Sequence, residues 1–172
     1  MDTAEQFASL VQAYVRILEH AHQLLPYMLL VNCAQILPHL YSSGLMLPIM
    51  FLADNVTDGE DIQEHLWSLD LAEHIEPYNH YQQIHDPIFD SKIMRGHIAS
   101  DLEKIYYDLK PPLAAFLSGE DALYTSAVNA WYRHIHGSCG ECIVNVLRAL
   151  HFLLNGNMPM DYISPEETPW YS

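Results

Sequence analysis

Along most of the chain apolar residues recur at three- and four-residue intervals, and nowhere do they alternate with polar ones over a useful length. The pattern therefore predicts helices rather than strands. From Thr3 onward Phe7, Leu10, Val11, Tyr14, Ile17, Leu18 and Ala21 share one helical face, while Ser9, Gln12, Arg16, Glu19 and Gln23 share the other. Thr3 and Gln6 have the spacing of a capping box at its start. A second helix opens on Pro26, and its Met28 to Leu37 run is apolar nearly all round, with Asn32, Gln35 and His39 as a single polar stripe. It is expected to be the central helix and to bend or end at Pro38, with Ser42 to Gly44 completing the stop.

Thr57 and Glu60 form a second capping box, and Ile62, Leu66, Leu69 and Leu71 or Ala72 supply the inner face of a third helix, closed by Pro77. Residues 78–84 are expected to add one or two helical turns before the His85-Asp86-Pro87 turn. A fourth helix should start at Asp90 or Ser91 and bury Met94, Ile98, Leu102, Ile105, Tyr106 and Leu109. Its expected end is the Pro111-Pro112 step, with a short continuation from Leu113 to Leu117. Asp121 starts a fifth helix carrying Leu123, Val128, Trp131 and Ile135 and halting near Gly137. Ser138 and Glu141 open a sixth, which runs through Ile143, Val146, Leu147, Leu150, Leu153 and Leu154 to a left-handed stop at Asn155-Gly156. Six helices with mostly short connections predict an all-α, single-domain, mostly antiparallel bundle over residues 1–156. An extended or disordered tail is expected over 157–172.

Composition fits that picture. In 172 residues, half of them hydrophobic, a single core buries about 70% of the unfolded surface, so folding needs no disulfide framework or structural metal. The formal net charge of −15 sets nucleic acid and anionic lipid aside as partners. The acids are uneven: up to Ser91 one base faces 13 acids, and from Lys92 onward six bases face nine. A solubilising face explains this more economically than a docking surface. Three cysteines, and a start without a basic n-region, point to a reducing, cytoplasmic setting. Residues 24–53 contain no Asp, Glu, Lys or Arg, but three prolines, Asn32, Gln35 and His39 interrupt them, so a buried helix and connector are expected instead of a membrane span.

In the second half the chain resembles a known family. The matching residues are Tyr81, the Asp86-Pro87 turn, the string from Ser100 to Leu109, the Leu113 to Gly119 stretch with Phe116, the Trp131-Tyr132 pair, and Leu147-Arg148-Ala149-Leu150-His151. Together they resemble the helical bacterial proteins grouped as domain of unknown function 5063. The resemblance implies an all-helical fold and no established activity. The chain departs from that family's pattern ahead of the last helix, where Ser138, Cys139, Gly140 and Cys142 stand in place of histidines and a tryptophan, and in the Pro111-Pro112 step.

Candidate chemistry is sparse. His134, His136, Cys139 and Cys142 are the densest set of possible metal ligands, but two histidines two residues apart on a helix point away from one another. Buried thiols are the economical reading, and no metal or cofactor is implied. Glu19-x-x-His22 has the spacing of a di-iron bundle ligand pair but no second copy, and Glu19 lies on a polar stripe facing solvent. No phosphate loop, nucleophile elbow or His-Glu-x-x-His is present. What stands out is the polar set shared with the resemblance: Asp101, Tyr106 and Asp108 on the fourth helix, Trp131 on the fifth, Arg148 and His151 on the sixth. Arg148 is expected to meet Asp101 or Asp108 across helices, as a register pair or as part of an aromatic pocket with Tyr106 and Trp131 that orients an anion. The leading expectation is a helical protein that acts by binding, either a protein partner or a second copy of itself. The competing one is an enzyme or small-molecule sensor built on that inter-helix site, with or without the assistance of a metal.

Overall fold

The computed structural model describes residues 2–50, 69–86, 88 and 90–156. Within them the order is α1 (Thr3–Glu19), a 3-10 turn (Ala21–Gln23), α2 (Pro26–Gly44), α3 (Leu71–His74), a 3-10 turn (Glu76–Tyr78), β1 (His80–Asp86), β2 (Asp90–His97), α4 (Ile98–Leu117), α5 (Asp121–Ile135) and α6 (Ser138–Asn155). The fold is all-α in class, with one small antiparallel hairpin added. The capping box at Thr57, the first part of the third helix and the segment 157–172 lie outside the described residues.

The α1 stripe is buried as its spacing predicts: Phe7, Val11, Tyr14 and Leu18 are in the core and Ser9, Gln12, Arg16 and Glu19 are outside. Its cap is one residue earlier than expected. Asp2 is the N-cap, and its N–H donates to Glu5 Oε2 at 3.0 Å. α2 passes through Pro38 and ends at Gly44. The proline ring faces solvent while Leu37, Leu40 and Gly44 continue the buried face, so packing outweighs the one lost helical hydrogen bond. At Gly44 an added Cβ would lie 2.8 Å from Ile135 Cγ1 and 3.0 Å from Phe7 Cε2, which marks how closely α1, α2 and α5 meet.

The largest departure is the hairpin. β1 and β2 pair antiparallel with Tyr81 opposite Gly96 and Ile84 opposite Ile93, where the periodicity predicts helix. Gly96 admits the Tyr81 ring over the facing strand, where any Cβ would overlap it. A lone hairpin is marginal in water, so its base must be held. Buried Asn79 does this: its carbonyl accepts the Ile98 N–H at 2.8 Å and its Oδ1 accepts the Ala99 N–H at 2.9 Å. The same bonds cap α4, which therefore begins at Ile98 and not at Asp90 or Ser91.

α4 also runs unbroken through Pro111 and Pro112. The two prolines deprive the Tyr107 and Asp108 carbonyls of their helical donors. Beside that gap Trp131 Nε1–H donates to the Leu109 carbonyl at 3.0 Å, and two turns earlier the Tyr14 hydroxyl donates to the Leu102 carbonyl at 2.8 Å. Fully buried aromatic side chains from α5 and α1 thus grip one helix. α4 packs against α1, α3, α5 and α6, so the central place expected for the second helix belongs to α4. α6 opens with Gly137 as N-cap and closes on Gly156 at φ −69°, an extended exit in place of the left-handed one expected.

Candidate functional site

Asp101, Lys104 and Asp108 lie at i, i+3 and i+7 on α4, on the side that meets the hairpin and the corner between α5 and α6. Asp108 accepts from Lys104 Nζ at 3.0 Å and has His134 Nδ1 at 3.7 Å. Asp101 accepts the Tyr81 hydroxyl, which also lies 3.1 Å from the Gln83 side-chain amide. Burial pushes the Tyr81 hydroxyl and the Cys139 thiol well up, with Asp101 and Asp108 respectively adding to it. Burial followed by Asp101 pushes Cys142 up to about 12, and burial alone does the same for Cys33. Held in the thiol form by burial, these cysteines are poor nucleophiles. Burial lowers the His134 pKa in spite of Asp108, whereas on Lys104 the Asp108 partner outweighs burial and holds the ammonium above its ordinary value. Among the described residues no three His, Cys, Asp or Glu side chains gather closely enough to hold a metal ion.

The other residues named from sequence sit elsewhere. Tyr106 faces α1, donating to Glu19 Oε1 at 3.1 Å while Lys110 Nζ reaches both Tyr106 Oη, at 2.5 Å, and Glu19 Oε1, at 2.7 Å. Glu19 is therefore bound as well as solvated, and the Lys110 hydrogen bond lowers its pKa. Trp131 is fully buried, with the Phe7 ring 5.2 Å and the Phe116 ring 5.3 Å away. His151 is exposed and its ring lies 5.6 Å from that of Phe152. Arg148 is exposed, and among the described residues no carboxylate lies within ion-pair distance of it.

The expected contact of Arg148 with Asp101 or Asp108 is thus not made, and the reason is phase. α6 turns Cys139, Cys142, Ile143, Val146 and Leu150 inward. Arg148 is two residues from both Val146 and Leu150, about 200° round the helix, and so points out. Nor do Tyr106, Trp131 and Arg148 share a wall: one faces α1, one is in the core and one is in the open. The expectation of an enclosed aromatic pocket between them does not match these positions.

What Arg148 does line is an open cleft of about 620 Å³ between the end of α2, the hairpin and α6. Tyr41, Leu45, Ile84 and Val144 form its apolar wall, with Asn145, Glu141 and Arg148 at the polar side. Leu45, Ile84 and Val144 are 41%, 39% and 46% exposed, well short of the burial their size would favour. Gly140 allows α6 to start directly against α5, since a Cβ there would overlap the Ile135 carbonyl oxygen. Sequence reasoning missed Tyr41, Leu45, Ile84 and Val144, because their convergence depends on the hairpin. The signal that points to them is an apolar residue out of phase with its own helix, as Val144 is on α6.

The comparisons agree with this architecture. The model of the family described as domain of unknown function (DUF5063) matches residues 1–155. No curated protein matches the chain. The crystal structure of protein BF1032 from Bacteroides fragilis is similar with a TM-score of 0.77, at 20% sequence identity over 93% of this chain and 96% of that one. At that identity the likeness shows the fold alone.

Proposed function

This chain belongs to the DUF5063 family, which has no established activity, and from that premise we propose that it works by binding a protein surface at the open cleft, in the first instance that of a second copy of itself. The observation that carries this is the contrast of commitments. Asp101, Asp108 and Tyr106 are tied to neighbours within the fold, while Arg148 and the Leu45, Ile84 and Val144 side chains of the cleft wall are left exposed. Apolar surface of this kind is the usual core of an interface, with a charge at its rim to fix register. Homodimers are its commonest outlet. The three cysteines are all free and buried, which supports a cytoplasmic setting. The charge of −15 argues against nucleic acid, and no helix among the described residues is long and apolar enough to cross a membrane.

Charge also shapes the test. Two copies at −15 repel, so association should strengthen as salt screens them. Sedimentation of the full chain at rising concentration, in low and in high salt, should show a dimer that Val144→Glu weakens at least about tenfold, the factor that 1.4 kcal/mol of lost contact gives. A monomer at high concentration in both salts would count against self-association.

A further inference from the structure

α6 has a second face besides the one it turns to the core, and we infer that the α6 of a second copy lies antiparallel on it. The two-fold axis passes between Val144 and Asn145, and each copy's Phe152 enters the other's cleft. The inference rests on the reading of the cleft as a docking site and adds the register and the side chain that fills it. With 3.6 residues per turn, Glu141, Val144, Arg148, Phe152 and Asn155 fall within an arc of about 80°. All five are exposed, Phe152 by 64%, while Cys142, Ile143, Val146 and Leu150 are buried on the opposite side. Val144 and Phe152 on one outward arc, beside an open cleft, make a patch rather than scattered exposure.

Charge selects a second copy as the occupant. Glu141 and Arg148 are two helical turns apart on this arc, about 10.5 Å along the axis, too far to pair within α6. Among the described residues neither makes an ion pair. An acid and a base so placed on one face are self-complementary. Turned about an axis midway between them, Glu141 meets the partner subunit's Arg148, and Arg148 meets the partner subunit's Glu141. The same axis sets Val144 beside the partner subunit's Val144 and brings the partner subunit's Phe152 level with Gly137. Gly137 and Gly140 line the cleft between Tyr41 and Leu45 and put no side chain into it, which leaves room for an aromatic ring. Each interface half then has an aromatic anchor in a pocket and an ion pair beside it.

The experiment is charge reversal in the full chain, read by sedimentation. Glu141→Arg turns an acid into a base in a chain of net charge −15, so general repulsion alone would tighten the dimer. The antiparallel register instead sets arginine against arginine, and the dimer should weaken at least about tenfold, as it should for Arg148→Glu and Phe152→Ala. Glu141→Arg combined with Arg148→Glu should return the affinity to within about threefold of the native chain. Val144→Cys, mildly oxidised, should give a disulfide-linked dimer, because helices packed about 8–10 Å apart bring residues beside a two-fold axis within disulfide reach. The native cysteines are all buried and should give none. A dimer that Glu141→Arg tightens, that the double reversal fails to restore, or that Val144→Cys fails to cross-link would overturn this register and leave the cleft reading to its own test with Val144→Glu. A native chain that stays monomeric at high concentration in both salts would remove the two together.

Discussion

On α4 the two aspartates each meet a donor from another element or the next turn, Tyr81 for Asp101 and Lys104 with His134 for Asp108. On α6 Arg148 meets none among the described residues, although it too lies within two residues of core positions. The difference is angular. Asp101 and Asp108 flank the buried stripe of α4 and are half-buried, so leaving them unpaired would be costly; Arg148 lies opposite the stripe of α6 and is solvated at little cost. A charged residue beside a core stripe is thus read first as structure, and one opposite it as surface available to something else.

The heaviest blow to that contrast should come from the committed side. Trp131→Ala removes the largest fully buried side chain together with the donor to the Leu109 carbonyl, and should cost about 3–5 kcal/mol in chemical denaturation. Next is Gly140→Ala, where the new Cβ overlaps backbone and α6 must move off α5; about 1–3 kcal/mol is expected, read from the denaturation midpoint.

A smaller effect separates two acid limbs. His134 has a lowered pKa because burial disfavours its charge, so its contribution to stability is complete above the ordinary value of 6.5 and declines as pH falls below it toward the folded value. Glu19, lowered mainly by Lys110, contributes fully above the ordinary 4.5 and loses that contribution as pH falls further, through its folded value. His134→Gln should flatten the upper limb of a stability–pH curve and leave the lower, and Glu19→Gln the reverse. The smallest effect belongs to the uncommitted side: Arg148→Ala should change the unfolding free energy by no more than about 0.5 kcal/mol. A loss comparable to that of Gly140→Ala would show Arg148 to be a structural residue and collapse the distinction.

Much of the fold was legible because most helices are amphipathic enough to carry their own phase. The stripes of α1, α5 and α6 predict the centres of their buried faces, although Leu123 at the start of α5 is exposed and Leu147, Leu153 and Leu154 on α6 are only half-buried. Three features escaped for physical reasons. The prolines at 38, 111 and 112 read as stops, but burial of the residues around them overrides the local penalty. The hairpin shows no alternation because Gln82, Ile84, Ile93 and Met94 are all exposed and neither face is cleanly apolar. The start of α4 depends on Asn79, which no spacing rule connects to residues about twenty positions on. The site was partly legible: periodicity already contained the outward direction of Arg148, whereas the cleft needed the hairpin to exist.

Asn79 also bears on how the chain assembles. Because one side chain and one carbonyl close both the base of the hairpin and the first turn of α4, neither can be finished without the other. The contacts involved close a loop of 20 residues, which is modest against those that join α1 to α4, so this unit is suited to forming early. In the native state the amides of Ile98 and Ala99 should open to exchange together with those of β1 and β2, as a single cooperative segment rather than as the frayed end of an independent helix.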